Sequence, residues 1–281
     1  MPELPEVETI RRGLEEYLVG HQVKSVEIKY PKIFNGDVKN ITGVKIKGVR
    51  RFAKVLLIDL SNKFSIVIQI KLTGQLIYRG PKLSKKPLLS KKVLGLPGKH
   101  THIIFYLDEK GILYYNDVRK FGRIRIIKTE EVTKTGFIEK LGFEPFKDLT
   151  PEIFSNITAK SSSPVKIVLM DQEKIGGLGN IYANDALWLA KINPKRPANK
   201  ITSEENSRLY KAILEVLKRG LKYGGASEQT FVIPDGSEGK YQEHTLVYGK
   251  EGTLCKRCKK AKVEKFFLSG RGTYFCPKCQ K

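Results

Sequence analysis

Between residues 4 and 18 apolar side chains return every three or four positions, as Leu4, Val7, Ile10, Leu14, Tyr17 and Leu18. That spacing lays one apolar stripe along an α-helix, and Gly20 supplies its stop. The other face begins acidic with Glu3, Glu6 and Glu8 and turns basic at Arg11 and Arg12. From residue 23 the pattern shortens. Runs at 23–30, 43–49, 55–60, 64–70, 102–107, 112–115 and 123–127 alternate or are rich in β-branched residues, with Gly, Asn and Asp between them. These predict strands, and so many in about a hundred residues predict a β-sandwich. The Lys-, Pro- and Gly-rich stretch between Arg79 and His100 reads as a mobile basic loop. From about residue 137 to 223 the chain reads as helices, clearest at 167–172, 183–189 and 208–223, with breaks at Asn193-Pro194 and Gly224-Gly225. Residues 226–246 read as loop, and 247–281 as a small cysteine-bearing module. The fold class expected is α+β.

Charge narrows the class of partner. The 281 residues carry 52 Lys and Arg against 29 Asp and Glu, a net charge of +23. Such an excess favours a polyanion, with nucleic acid ahead of an anionic membrane surface. No apolar run approaches the ~20 residues that span a bilayer, and the acidic N-terminus lacks the apolar segment of a secretory signal. All four cysteines follow residue 250, which argues against a disulfide-stapled secreted protein. A soluble intracellular protein that handles nucleic acid is expected.

Cys255-x-x-Cys258 and Cys276-x-x-Cys279 stand 17 residues apart. Two such knuckles offer four thiolates to one structural zinc ion, and the intervening segment can turn back at Gly270-Arg271-Gly272. Two disulfides or a redox pair are the alternatives. Ile175-Gly-Gly-Leu-Gly-Asn-Ile-Tyr182 sets three glycines before a helical stretch, where backbone amides can approach a phosphate and Asn180 can donate as well; a tight helix–helix connection reads equally well. Asn116-Asp-Val-Arg-Lys-Phe-Gly122 sets Arg119, Lys120 and Phe121 in a row, a basic pair beside an aromatic that can hold phosphate and wedge between bases. Lys54 precedes an apolar strand, where it is ordinarily just solvated. The opening Met1-Pro2-Glu3-Leu4-Pro5-Glu6 has two readings. It is a well-capped helix start, and, once Met1 is removed, it is also a secondary amine beside carboxylates, suited to imine chemistry on a sugar aldehyde.

Taken in order, PELPEVETIRRGL, KHTHIIF, NDVRKFG, GGLGNIYANDALW and the CxxC–GRGTYFCPKCQ ending resemble the formamidopyrimidine-DNA glycosylase family over residues 2–280. The resemblance implies a catalytic β-sandwich domain at 1–134, a helix–two-turn–helix domain with a lesion-covering loop at 135–246, and a zinc ribbon at 247–281. It implies removal of oxidised purines from damaged duplex DNA, then AP lyase cleavage by β- and δ-elimination, by a monomer in a bacterial-type cytoplasm, associated with the nucleoid. By position, Pro2 would be the nucleophile, Glu3 its acid–base partner, and Lys54 and Arg271 the residues of β- and δ-elimination. His100, Arg119, Lys120, Lys166 and Asn180 would contact DNA, and Phe121 would be the wedge. Zinc, held by Cys255, Cys258, Cys276 and Cys279, is the one cofactor implied.

Departures from the family pattern bear on lesion preference more than on activity. Gln69 and Leu72 replace a His-x-x-Met segment; leucine keeps the volume that fills the void left by a flipped base. Lys120 replaces an arginine and loses its bidentate fork. The 224–231 segment lacks the usual Ser/Thr-rich start, and Ser162 stands where a lysine is usual, with Lys160 nearby. Two other readings stay open: an endonuclease VIII-like enzyme for oxidised pyrimidines, and a zinc-ribbon nucleic-acid-binding protein without activity.

Overall fold

Glu3 ends the extended N-terminus and caps helix α1, Leu4–Leu18, in the computed structural model, which describes residues 1–83 and 89–281. Pro5 lies in the first turn, where a missing amide proton costs nothing. The apolar stripe behaves as its spacing requires: Leu4, Val7, Ile10, Leu14 and Leu18 are all buried. Two compact units follow, Met1–Glu139 with Leu221–Gln242, and Lys140–Gly220 with Glu243–Lys281.

The first unit holds two sheets. Strands β1 (Val23–Ile28), β2 (Phe34–Asn35), β3 (Ile46–Phe52), β4 (Val55–Leu60), β5 (Phe64–Gln69), β6 (Gly74–Arg79), β7 (Thr101–Leu107), β8 (Ile112–Asp117) and β9 (Arg123–Lys128) make a four-stranded sheet, β1-β7-β8-β6, and a five-stranded one, β2-β9-β5-β4-β3. Pairing is antiparallel apart from the short parallel β2–β9 pair. Leu56, Ile58, Ile66 and Ile68 from one sheet, Leu76, Ile103, Phe105 and Tyr115 from the other, and Val7, Ile10 and Leu14 from α1 form one core. Helix α1 lies against β3. Glu15 accepts the Val49 amide at 2.7 Å, Arg11 donates to the Val49 carbonyl at 3.3 Å, and Arg51 donates to Glu8 at 3.1 Å.

The pattern reading does not include β6. Its first residue, Gly74, looks like a strand breaker, but a Cβ there would lie 2.4 Å from the Ile70 carbonyl oxygen. The backbone passes too close for any side chain, so this glycine marks a close approach inside the connection from β5 to β6, where the chain crosses from one sheet to the other. In the basic stretch after β6, residues 84–88 lie outside the described residues. The part that follows has no helix or strand, as a loop should, but it is tethered. Lys92 pairs with Glu238 at 2.5 Å, and the Gln75 amide donates to the carbonyls of Lys92 at 2.8 Å and Thr230 at 2.6 Å. Segment 221–242 is held to the first unit by these bonds and by Tyr78 N–H to the Pro234 carbonyl at 2.8 Å.

Helix α2 (Gly136–Glu139) ends the first part of that unit. The second unit carries α3 (Pro151–Ala159), α4 (Val165–Met170), α5 (Asn180–Ala190), most of α6 (Ser203–Lys222) and a hairpin of β10 (Glu264–Leu268) and β11 (Arg271–Phe275). Helix α6 starts at a reciprocal cap: Glu205 accepts the Thr202 amide at 3.0 Å and donates its own amide to the Thr202 hydroxyl at 3.3 Å. Arg196 holds both oxygens of Glu205, at 2.6 and 2.8 Å. Among the described residues no helix is long and apolar enough to cross a membrane.

The bidentate Arg196 contact pulls Glu205 down to about 2, with the Thr202 amide assisting against burial. A carboxyl with a lowered pKa in the folded state stabilises it above the ordinary glutamate range, and that contribution fades as pH falls. In urea melts, Glu205→Gln is expected to be less stable than wild type at neutral pH, with the gap closing as pH approaches about 2.

Candidate active site, nucleic-acid interface and metal centre

The N-terminal site is built from the start of α1. Glu3 and Glu6 are 3% and 1% exposed, and Pro2 is buried beside them. Glu6 is fully engaged: Oε2 accepts the Glu3 amide at 2.7 Å and Oε1 accepts the Ala226 amide at 2.8 Å. Glu3 and Glu6 are the two halves of a capping box, which fixes the residue that follows Pro2. Met1 is 50% exposed, accessible to the removal that would bare the proline nitrogen.

Phe52 pairs with Val55, so Ala53 and Lys54 form the two-residue turn between β3 and β4. Ala53 adopts φ 48°, a strained value for alanine. Arg51 spans the gap to α1, donating at 2.9 Å to the Ala53 carbonyl and at 3.1 Å to Glu8. Burial raises the Glu8 pKa, but hydrogen bonds from Arg11, Arg51 and Arg12 outweigh it and hold the carboxyl below its ordinary value. The Lys54 turn and the helix carrying Glu3 are thereby joined through a carboxylate that stays charged.

On the same unit, Arg119, Lys120 and Phe121 are exposed, the Phe121 ring by 49%. The Arg119 guanidinium lies 4.6 Å from the Phe121 ring centroid, and the Lys120 ammonium 4.5 Å from that of Tyr30. Lys120 takes the left-handed conformation, φ 56°. Hydrogen bonds to the Thr73 hydroxyl and to the His100 carbonyl bring Leu72 and His100, both half-buried, to this turn. The Arg119 amide donates to Thr73 at 3.0 Å, and the Asp117 amide to the His100 carbonyl at 3.0 Å. An exposed ring with one cation over it and a second beside it in the chain is suited to stacking against bases while the cations meet phosphates.

In the second unit, Lys166 and Asn180 meet at one atom. Lys166 is fully buried and donates at 3.0 Å to the Gly272 carbonyl and at 2.7 Å to the Thr273 hydroxyl; Asn180 donates to the same carbonyl at 3.1 Å. Arg271, next to Gly272, is exposed. Helix α5 carries the rest of the module. Asn184 accepts the Tyr274 amide at 2.7 Å, and buried Asp185 accepts the amides of Leu246, Val247 and Tyr248 at 3.0, 3.0 and 3.1 Å. Arg257 stacks 4.1 Å from the Trp188 ring and donates to the Trp188 and Leu189 carbonyls at the helix end. Asp185 and Arg51 were not legible as site residues, because nothing in their local spacing marks them.

The four cysteine sulfurs lie within 4.8 Å of one another and are not disulfide-bonded. Cys255 and Cys279 are 3.9 Å apart, and Cys258 and Cys276 3.8 Å. Tetrahedral metal–thiolate bonds of about 2.3 Å separate sulfurs by about 3.8 Å, so the donor set fits one ion and excludes the disulfide alternative. Backbone amides of Ala261 and Lys260 pull the Cys258 thiol down to about 6, while burial pushes Cys276 up to about 12.

Comparisons with known proteins bear on the whole chain. The family model for the formamidopyrimidine-DNA glycosylase N-terminal domain matches residues 1–124, and that for the formamidopyrimidine-DNA glycosylase H2TH domain matches residues 141–232. Formamidopyrimidine-DNA glycosylases of Lactiplantibacillus plantarum and Pelotomaculum thermopropionicum are each 38% identical, over 99% and 100% of this chain and 98% and 99% of their own length. The chain belongs to the formamidopyrimidine-DNA glycosylase family. A Lactococcus lactis FPG mutant in complex with Fapy-dG containing DNA superposes with TM-score 0.88 at 36% identity, covering 100% of both chains. A wild-type L. lactis Fpg in complex with oxidised pyrimidine containing DNA gives 0.87 at 36% identity, again covering 100% of both. The departures from the formamidopyrimidine-DNA glycosylase pattern fall at separate places. Gln69 ends β5, Leu72 lies in the turn before β6, and Ser162 is exposed two residues beyond Lys160, the C-cap of α3.

Replacing Cys276 with serine is expected to abolish stoichiometric metal retention, measured as metal per chain by plasma mass spectrometry. Chelation of the wild type should release an ion together with four thiols reactive to a colorimetric reagent.

Proposed function

We propose that this chain removes oxidised purines from duplex DNA and then cuts the abasic product through an imine on Pro2. The observation that carries the reading is the buried start of α1. There a capping box fixes Glu3 beside a proline whose nitrogen becomes a free secondary amine once Met1 is gone. An α-amino group has an ordinary pKa of about 7.7–8.0, so a useful fraction is neutral and nucleophilic near neutrality. The amine attacks C1′, the C1′–N bond breaks, and the base leaves with a proton. Glu3 is the acid–base group that opens the sugar ring to give the iminium. The iminium acidifies the C2′ hydrogen, Lys54 assists in removing it, and the 3′ phosphate leaves by β-elimination. A second elimination expels the 5′ phosphate, with Arg271 holding it.

Arg119, Lys120 and the His100 imidazole bind the strand backbone in this reading, while Phe121 and Leu72 enter the gap left by the extruded base. Lys166 and Asn180 act through the Gly272 carbonyl, holding the hairpin so that Arg271 points outward; this modifies the direct contact expected for them. Zinc bound by Cys255, Cys258, Cys276 and Cys279 cross-links the ribbon to that hairpin. The chain acts as a monomer at the bacterial-type nucleoid, with catalytic, helical and ribbon parts near 1–134, 135–246 and 247–281. Oxidised pyrimidines form a second substrate class, favoured by the L. lactis relative in complex with an oxidised pyrimidine in DNA.

Borohydride reduction with a duplex carrying 8-oxoguanine opposite cytosine is expected to trap a covalent adduct, provided intact mass shows Met1 absent. Glu3→Gln should lower base excision by roughly 10²-fold or more. A Met1-free protein that traps neither 8-oxoguanine nor abasic duplex would overturn the reading.

A further inference from the structure

Asp117, the last residue of β8, is a buried carboxylate that the reaction above does not use. Among the described residues its four hydrogen-bond donors are neutral. Oδ1 accepts the Thr73 hydroxyl and, at 3.2 Å, the Arg119 amide; Oδ2 accepts the Gly122 amide at 2.8 Å and the Tyr115 hydroxyl at 3.4 Å. Burying a carboxylate is costly unless hydrogen bonds replace water, so these donors are held firmly. Their positions are informative. Residues 119 and 122 bracket Lys120 and Phe121, the exposed tip, and Thr73 follows Leu72.

Two further contacts tighten the arrangement. Thr73 Oγ1 donates to Asp117 and accepts the Arg119 amide at 3.0 Å, so it ties the two turns to each other as well as to the carboxylate. Gly122 is pressed against Tyr115 so closely that a Cβ would lie 1.6 Å from the phenol oxygen. The exposed tip thus stands on a rigid buried base, and Lys120 is kept in its left-handed conformation between two anchored amides.

We infer that Asp117 is a positioning residue that, with Thr73, presents Phe121 and Leu72 as one preformed two-pronged wedge for opening the base stack. The inference rests on the glycosylase reading. A preformed wedge lowers the ordering cost of insertion into duplex, whereas a single strand has no stack to open.

Asp117→Asn keeps the volume but turns an amide NH₂ toward backbone N–H groups. Single-turnover excision of 8-oxoguanine from duplex is expected to fall at least about tenfold, as for a lost charge-assisted hydrogen bond. The fluorescence rise of a 2-aminopurine beside the lesion, which reports unstacking, should fall with it. Borohydride trapping on a single-stranded abasic oligonucleotide should stay within about twofold of wild type, since that substrate has no stack to open. Thr73→Val should reproduce the duplex defect and Thr73→Ser should restore it, which keeps the test valid if Asp117→Asn folds poorly. Wild-type duplex rates and 2-aminopurine signals in both Asp117→Asn and Thr73→Val would overturn the inference, as would equal losses on both substrates. Failure of wild type itself to trap either substrate would fail the glycosylase reading and take this inference with it.

Discussion

The first unit depends on how the charged start of α1 is kept in a buried place. Glu6 spends one oxygen on the Glu3 amide and the other on the Ala226 amide, so the helix start and the 221–242 segment are fixed by the same carboxylate. A buried backbone donor left without its acceptor costs about 1–3 kcal/mol, so loss of Glu6 would loosen both at once. Glu8, two residues later, plays a similar part, joined by Arg51 to the turn that bears Lys54. The acids along α1 therefore act as tethers on residues whose chemistry lies elsewhere. They also hold in order a helix start, which is ordinarily a site of fraying.

The second unit meets the same need with a different device. A small ribbon buries too little apolar surface to orient itself, and α5 supplies what is missing. Asp185, Asn184 and the end of the helix hold successive segments of the ribbon, and Trp188 donates to the Cys255 sulfur at 3.4 Å. Lys166 and Asn180 then secure the carbonyl beside Arg271. The four-sulfur cluster and the buried lysine fix opposite ends of the hairpin, so the exposed guanidinium is set by contacts that are themselves unexposed. Asp117 does for Phe121 what Lys166 does for Arg271: a buried charge is used to place an exposed group.

The sequence by itself determined the elements whose signal is local. The 3.6-residue period of α1 matches the helix observed, since that period states directly which face must be buried. The paired Cys-x-x-Cys spacing likewise anticipated a cluster able to hold an ion. The ordered motifs were enough to place the chain in its family, and the five exposed or turn positions Lys54, Arg119, Lys120, Phe121 and Arg271 lie where short-range turn chemistry puts them. Tertiary structure decided the remainder. Strand β6 was hidden because Gly74 answers to the Ile70 carbonyl, a contact absent from any local pattern. Lys166, which the resemblance made a DNA contact, is buried where α4 meets the hairpin. Asp117 is one letter of a motif until Thr73, Arg119, Gly122 and Tyr115 converge on it. A buried charge is defined by partners distant in the chain, and spacing along the sequence carries no record of them.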